Sequence, residues 1–150
     1  MTTKIKNIRL KNYDYSANGF YFVTISTNYR NSYLIQYRDL IVEILENLNK
    51  ISGVSVDHYT IMPNHLHLIL ILNNCHLNLG EVIRKFKALT TKKAGTKLWQ
   101  PNYYEHVIRN EIALLKIREY IQNNPLVEKI DFKEFYKKSM PDKSGNYKSE

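Results

Sequence analysis

The sequence predicts an α+β domain: an antiparallel sheet with two helices on one face and a last helix against the other. Three observations carry this reading. Four runs rich in β-branched and aromatic residues alternate with amphipathic stretches in the order strand, helix, strand, strand, helix, strand, helix. Two of the strands are joined by a tight Pro63-Asn64 turn, which makes them a hairpin. The second strand of that hairpin, H-L-H-L-I-L-I-L, puts leucines on one face and His65 and His67 on the other, as the period of two requires. With 150 residues and 43% hydrophobic content, the chain suits one core. One domain over residues 1–136 is expected, with a polar tail over 137–150.

The segment through Gly19 is polar and basic, with Asn12, Asp14, Ser16 and Asn18 as turn formers, and reads as an arm. Residues 20–27, F-Y-F-V-T-I-S-T, predict a first strand, followed by a turn over 28–32 that contains Arg30. Leu34, Leu40, Ile41, Ile44, Leu45 and Leu48 recur at three- and four-residue spacings, which predicts a helix over 33–50 that Gly53 follows. Residues 54–62 and 65–72 form the hairpin, and Asn73, Asn74 and Cys75 close it. A second helix over 79–93 carries Val82, Ile83, Phe86 and Leu89 as one stripe, with Arg84, Lys85, Lys87, Lys92 and Lys93 around the rest. Gly95 separates it from a last strand over 98–109, irregular at Pro101. Asn110 is placed to cap a third helix over 111–124, which Pro125 stops. A short helix is expected within 126–136, and the tail from Lys137 has the composition of a disordered segment. This order of elements is that of a split βαβ, ferredoxin-like domain.

A formal charge of +8 and a pI near 9.5 imply attraction to a polyanion, nucleic acid first and an anionic membrane surface second. The longest apolar run, 66–72, is far too short to span a bilayer, and Lys4, Lys6, Arg9 and Lys11 are unlike the start of a signal peptide. The single cysteine, Cys75, excludes an intramolecular disulfide and a cysteine-based zinc finger. A cytoplasmic protein, associated with the nucleoid when bound to DNA, is the expectation. Twelve tyrosines, several among basic residues, are available as stacking platforms or as half-buried packing.

Two adjacent imidazoles suit a divalent metal, although two ordinary strand histidines are the plainer alternative. The last helix offers a second half to such a site. Ile117, Tyr120, Ile121 and Asn124 fall on one stripe that must pack against the sheet, with Tyr120 and Asn124 one turn apart. Alone, Tyr120 reads as a core tyrosine and Asn124 as a helix C-terminal residue. Together with the histidines they complete a chemistry: an ion on His65, His67 and the Asn124 oxygen keeps open positions for phosphodiester oxygens, and Tyr120 is a ready nucleophile. A phenol leaves more readily than a sugar alkoxide, so attack by a DNA 3′-hydroxyl can reseal the strand, which suits strand transfer better than hydrolysis.

Five blocks carry a family resemblance: Y-D-Y-S-A-N-G-F-Y-F-V-T-I-S-T from Tyr13, M-P-N-H-L-H-L-I-L from Met62, F-K-A-L-T-T-K-K from Phe86, W-Q-P-N-Y-Y-E-H-V-I-R-N-E from Trp99 and Y-I-Q-N-N-P from Tyr120. With these blocks, in order over most of its length, the chain resembles the single-tyrosine HUH transposases, most closely their REP-associated tyrosine transposase branch. The resemblance implies a ferredoxin-like nuclease fold and metal-dependent cleavage of single-stranded DNA through a 5′-phosphotyrosine, commonly with hairpin recognition. It implies Tyr120 as nucleophile, and His65, His67 and Asn124 as metal ligands, asparagine standing where related branches often have glutamine; two imidazoles tolerate several ions, while phosphate oxygens suit Mg2+ or Mn2+. Arg109 is expected to contact phosphate and His106 to support the site. The remaining DNA-binding candidates are Lys4, Lys6, Arg9, Lys11, Arg30, Arg84, Lys85, Lys87, Lys92 and Lys93, with Tyr103 and Tyr104 for stacking. Monomer and homodimer are both compatible with the sequence. The rival readings are a non-catalytic module that binds single-stranded nucleic acid, and a metal-dependent phosphodiesterase that uses activated water.

Overall fold

The structure, a computed structural model, describes residues 18–123. The basic arm with Lys4, Lys6, Arg9 and Lys11, together with Asn124, Pro125, the helix expected within 126–136 and the tail, lies outside the described residues.

The chain runs β1 (Gly19–Ser26), α1 (Arg38–Leu48), β2 (Val54–Met62), β3 (His65–Leu72), α2 (Leu79–Ala94), β4 (Tyr104–Ile108) and α3 (Glu111–Asn123). A single 3-10 turn, Asn28–Arg30, follows β1. The four strands form one antiparallel sheet in the order β2-β3-β1-β4, the split βαβ arrangement expected from the sequence.

Strand alternation divides the molecule into two apolar layers. Leu66, Leu68, Leu70 and Leu72 of β3 join Tyr21, Val23 and Ile25 of β1 against Ile41, Ile44, Leu45 and Leu48 of α1 and Val82, Ile83 and Phe86 of α2. The other face carries Phe22, Ile69 and Ile108, covered by Ala113, Leu114, Ile117 and Ile121 of α3. In β2 the parity changes midway. Val54 and Val56 face the larger core, as do Tyr59 and Ile61, because a bulge between Val56 and His58 inserts Asp57 as an extra residue. His58, Thr60 and Met62 thereby pair with Ile69, His67 and His65 on the α3 side.

Local chemistry fixes the ends of the elements. Asn78 and Glu81 form a reciprocal capping box at the start of α2, each side chain accepting at 2.9 Å from the other's backbone N–H. Gly95 closes that helix in the left-handed conformation, φ 76°. Asn110 caps α3 as expected, its Oδ1 accepting from the Ala113 N–H at 2.7 Å. Gly53, at φ 89°, lies so close to Asn73 and Cys75 that a Cβ would come within 2.7 Å of backbone atoms.

Two expected elements are shorter than predicted. The helix expected over 33–50 starts only at Arg38: residues 34–37 form turns, with the Leu34 N–H on the Pro63 carbonyl at 3.0 Å and the Arg38 N–H on the Ile35 carbonyl at 3.4 Å, and Tyr37 supplies no side-chain cap. The strand expected over 98–109 is reduced to Tyr104–Ile108. The Lys87 ammonium takes the carbonyls of Gln100, Pro101 and Asn102 at 2.8, 3.2 and 3.1 Å, so this stretch serves a side chain rather than the ladder. Trp99 keeps one isolated bridge to Thr27 and donates its indole N–H to Thr90 Oγ1 at 2.7 Å. Among the described residues no helix is long and apolar enough to cross a membrane.

Candidate histidine and tyrosine site

β3 is a central strand, so its two histidines are flanked on both sides. Register places His67 between Thr60 of β2 and Thr24 of β1, and His65 between Met62 and Ser26. Both are buried, at 2% and 1% exposure for His65 and His67, and their ring centroids are 4.8 Å apart.

Each ring is also oriented through Nδ1. Thr24 Oγ1 lies 2.9 Å from His67 Nδ1, and Asn64 Oδ1 accepts from His65 Nδ1 at 2.9 Å. A proton held on Nδ1 leaves the lone pair on Nε2, the form in which a histidine coordinates, and an oriented ring is what a ligand set needs. The donor chemistry therefore fits a divalent ion. Among the described residues no group of three or more His, Cys, Asp or Glu side chains is placed to hold one.

α3 lies on the same face. Tyr120 is half-buried and packs against the cluster of Phe22, Ile69, Ile108 and the apolar stripe of α3. Phe22 in turn contacts His67, with ring centroids 5.4 Å apart. One contiguous layer thus brings His65, His67 and Tyr120 to one face, Phe22 touching both His67 and the cluster against which Tyr120 packs. Asn124 begins the undescribed segment directly after α3.

The aromatic candidates separate. Tyr104 packs with Phe22 on the histidine side, centroids 6.4 Å apart, whereas Tyr103 packs against the larger core with the Lys87 ammonium 5.8 Å from its ring centre. Lys87 is occupied by its three carbonyls, and burial pushes its ammonium down to about 8, so its evident work is to hold the entry to β4. Arg84, Lys85, Lys92 and Lys93 are exposed, but α2 lies on the opposite side of the sheet from the histidines. Arg30 is exposed in the left-handed region at φ 59°, next to Tyr29 at φ 55°. That turn adjoins the histidine end of the sheet, since the Thr27 N–H donates to the Asn64 carbonyl at 3.0 Å. Arg109 is exposed where β4 gives way to α3. His106 is pushed down to about 3, by burial first and the nearby Arg109 charge second, so it stands neutral at pH 7.

Sequence reasoning missed Thr24 and Asn64 as orienting groups, and a pair further along the helix. Arg118 donates to Asp57 through Nε at 2.8 Å and Nη2 at 2.7 Å. The Asp57 hydrogen bonds hold the guanidinium charged, above its ordinary range. Asn64 adjoins the histidine in sequence and was open to notice, whereas Thr24 and Asp57 are joined to their partners only by strand register and helix packing.

The span from β1 to the end of α3 falls within one family pattern, which defines the class as transposase-like. The chain belongs to the IS200-like transposase family, whose pattern matches residues 16–124. It is 35% identical over 171 residues to an uncharacterized protein of Haemophilus influenzae, covering 85% of this chain and 95% of that one. It is 29% identical over 115 residues to a REP-associated tyrosine transposase of Escherichia coli K12, covering 75% and 69%. A solved REP-associated tyrosine transposase bound to a REP hairpin shares the fold, with a TM-score of 0.68 at 23% identity over 79% of this chain and 73% of that one.

Proposed function

We propose that this chain nicks single-stranded DNA and transfers the cut strand through a covalent bond to Tyr120, at a site where His65, His67 and Asn124 hold Mg2+ or Mn2+. The observation that carries this reading is the pair of buried imidazoles, each oriented through Nδ1, on the face that the tyrosine helix covers. When bound, the ion would draw negative charge from the phosphodiester oxygens and favour attack at phosphorus. Tyr120 Oη forms the new bond to phosphorus, the P–O3′ bond breaks, and the departing 3′-oxygen takes up a proton. The products are a 5′-phosphotyrosine and a free DNA 3′-hydroxyl. Rejoining reverses the step, with a 3′-hydroxyl as nucleophile and the phenol as leaving group. Exposed Arg30 and half-buried Tyr104 stand where a strand crossing the histidine end would meet charge and a ring face, whereas exposed Arg109 follows Ile108 at the other end of β4 and offers a phosphate contact there. Arg84, Lys85, Lys92 and Lys93 offer phosphate contacts to DNA that passes round the sheet to the α2 side. A hairpin substrate is favoured because a relative of the same fold is bound to one.

The test is incubation with Mn2+ and labelled hairpin single-stranded DNA, followed by a denaturing gel. A covalent adduct absent from Tyr120→Phe supports the reading. Strand cleavage that persists in Tyr120→Phe contradicts it in favour of activated water, and binding without cleavage points to a recognition module.

A further inference from the structure

α3 carries Tyr120, yet the contacts that seat it beneath that residue are mostly apolar and non-directional. Ala113, Leu114, Ile117 and Ile121 rest on Phe22, Ile69 and Ile108. The burial that drives such a layer is non-directional, and a hydrogen-bonded ion pair adds the direction it lacks. Directional contacts are found towards its two ends. At the N-terminus only Arg109 and Asn110 separate the helix from the edge strand β4, and Asn110 Oδ1 caps that start by accepting from the Ala113 N–H, so the short chain link itself fixes this end. Further along, Arg118 reaches β2, the opposite edge strand, and makes two charge-assisted bonds to Asp57 at 2.7 and 2.8 Å. Eight residues of helix span about 12 Å, and the three spacings from β4 to β2 span about 14 Å. The helix therefore crosses the sheet with an anchor at each margin.

The second anchor has its own local construction. Asp57 is the extra residue of the β2 bulge, and the bulge turns the rest of β2 so that Thr60 and Met62 flank the two histidines. His58 Nδ1 stands 3.0 Å from the Asp57 carbonyl and 3.5 Å from its Oδ2, which holds the bulge together. A planar guanidinium on a carboxylate fixes direction as well as distance, unlike a lone ammonium. The same short segment thus sets the histidine surroundings and grips the helix two residues before Tyr120.

We propose that Asp57 and Arg118 are positioning residues that hold α3 at the rotation and station in which Tyr120 faces the histidine pair. The role rests on the assignment of Tyr120 as nucleophile. It requires no contact between either residue and DNA, so the pair acts on the rate of attack and leaves DNA binding largely alone.

The test uses the full chain and hairpin single-stranded DNA with Mn2+, comparing Asp57→Asn, Arg118→Gln, their double variant and Arg118→Lys. Adduct formation is timed at saturating DNA, the dissociation constant is measured by fluorescence anisotropy, and folding is followed by thermal denaturation. Each neutralising variant is expected to form adduct about tenfold more slowly, with a dissociation constant within about twofold of wild type. The double variant should be no slower than either single one, because one shared contact is lost only once. Arg118→Lys keeps the charge and the fold but not the fork, and should fall between wild type and Arg118→Gln. Folded single variants with wild-type rates overturn the positioning role, as do rate losses that multiply in the double variant or that match an equal loss of DNA affinity. If Asn and Gln variants fail to fold, a wild-type rate in Arg118→Lys overturns it and a slowed one upholds it. A wild-type chain that forms no adduct instead removes the nucleophile assignment and the positioning role with it, an outcome distinct from equal rates in all variants.

Discussion

Replacing Thr24 with valine isolates the orienting contact on His67. The two side chains have nearly the same volume, and Thr24 is 4% exposed within a strand, so the packing persists while the 2.9 Å contact to Nδ1 is lost. A buried hydrogen bond removed on one side costs about 1–3 kcal/mol, and groups that orient metal-binding histidines typically matter by about 10- to 100-fold in affinity. The lower end of both ranges gives about a tenfold weaker Mn2+ site, or about 1.4 kcal/mol. Titration calorimetry with Mn2+ reads this directly. Thermal denaturation gives a second reading: at a Mn2+ concentration that saturates the wild type, the stabilisation by metal should shrink by up to about 1.4 kcal/mol. Without metal, a loss of about 1 kcal/mol would lower the midpoint by about 2–4 °C. Equal Mn2+ affinity in wild type and a folded Thr24→Val protein would refute the argument that the Nδ1 contact prepares His67 for a metal.

His106 predicts an acid limb in the stability curve. Its folded pKa of about 3 lies below the ordinary 6.5, so its contribution is full above pH 6.5 and is lost as the pH falls towards 3, by at most about 1.4 kcal/mol per pH unit. His106→Gln should narrow the difference in urea stability between pH 7 and pH 4.5, and an unchanged difference would count against a half-buried imidazole held neutral. Gly53→Ala should destabilise more than Gly95→Ala in chemical denaturation. Both have positive φ, which costs about 1–2 kcal/mol, but only at Gly53 would the added carbon meet backbone atoms, whereas at Gly95 nothing lies within 4 Å. Thr90→Val removes the acceptor of the Trp99 indole and should lower stability by about 1–2 kcal/mol. Trp99 is the sole tryptophan, so its fluorescence follows this unfolding unambiguously.

Much of this architecture is legible because its signals are local. The bounds of β2 and β3 follow from Gly53, Pro63-Asn64 and the apolar runs between them, and Asn110 announces the start of α3 by its capping chemistry. The two faces of β3 follow from alternation alone. The capping box at α2 was also written in the sequence, as Asn78 three residues before Glu81, though its helix was predicted from apolar periodicity alone. Failures occur where a distant partner competes for a backbone group. Leu34 fits the helical stripe but lies in a turn tied to Pro63, and the carbonyls of 100–102 serve Lys87 instead of a strand. The bulge at Asp57 leaves a trace, since apolar residues shift from even to odd positions between Val56 and Tyr59, but its consequence for Arg118 depends on how α3 lies across the sheet. For the site, the His-x-His spacing and the Tyr120 stripe placed these residues on one face, whereas the partners of each imidazole depend on strand register.

Peptide mapping of the protein–DNA adduct tests the central claim most directly. Trypsin cuts after Arg118 and Lys129, and the resulting peptide, E-Y-I-Q-N-N-P-L-V-E-K, contains Tyr120 as its single tyrosine. After reaction with hairpin single-stranded DNA and Mn2+, then nuclease digestion, mass spectrometry should find this peptide carrying a 5′-linked nucleotide phosphate on Tyr120. A nucleotide attached to any other residue, or cleaved DNA with the peptide unmodified throughout the reaction, would contradict the assignment.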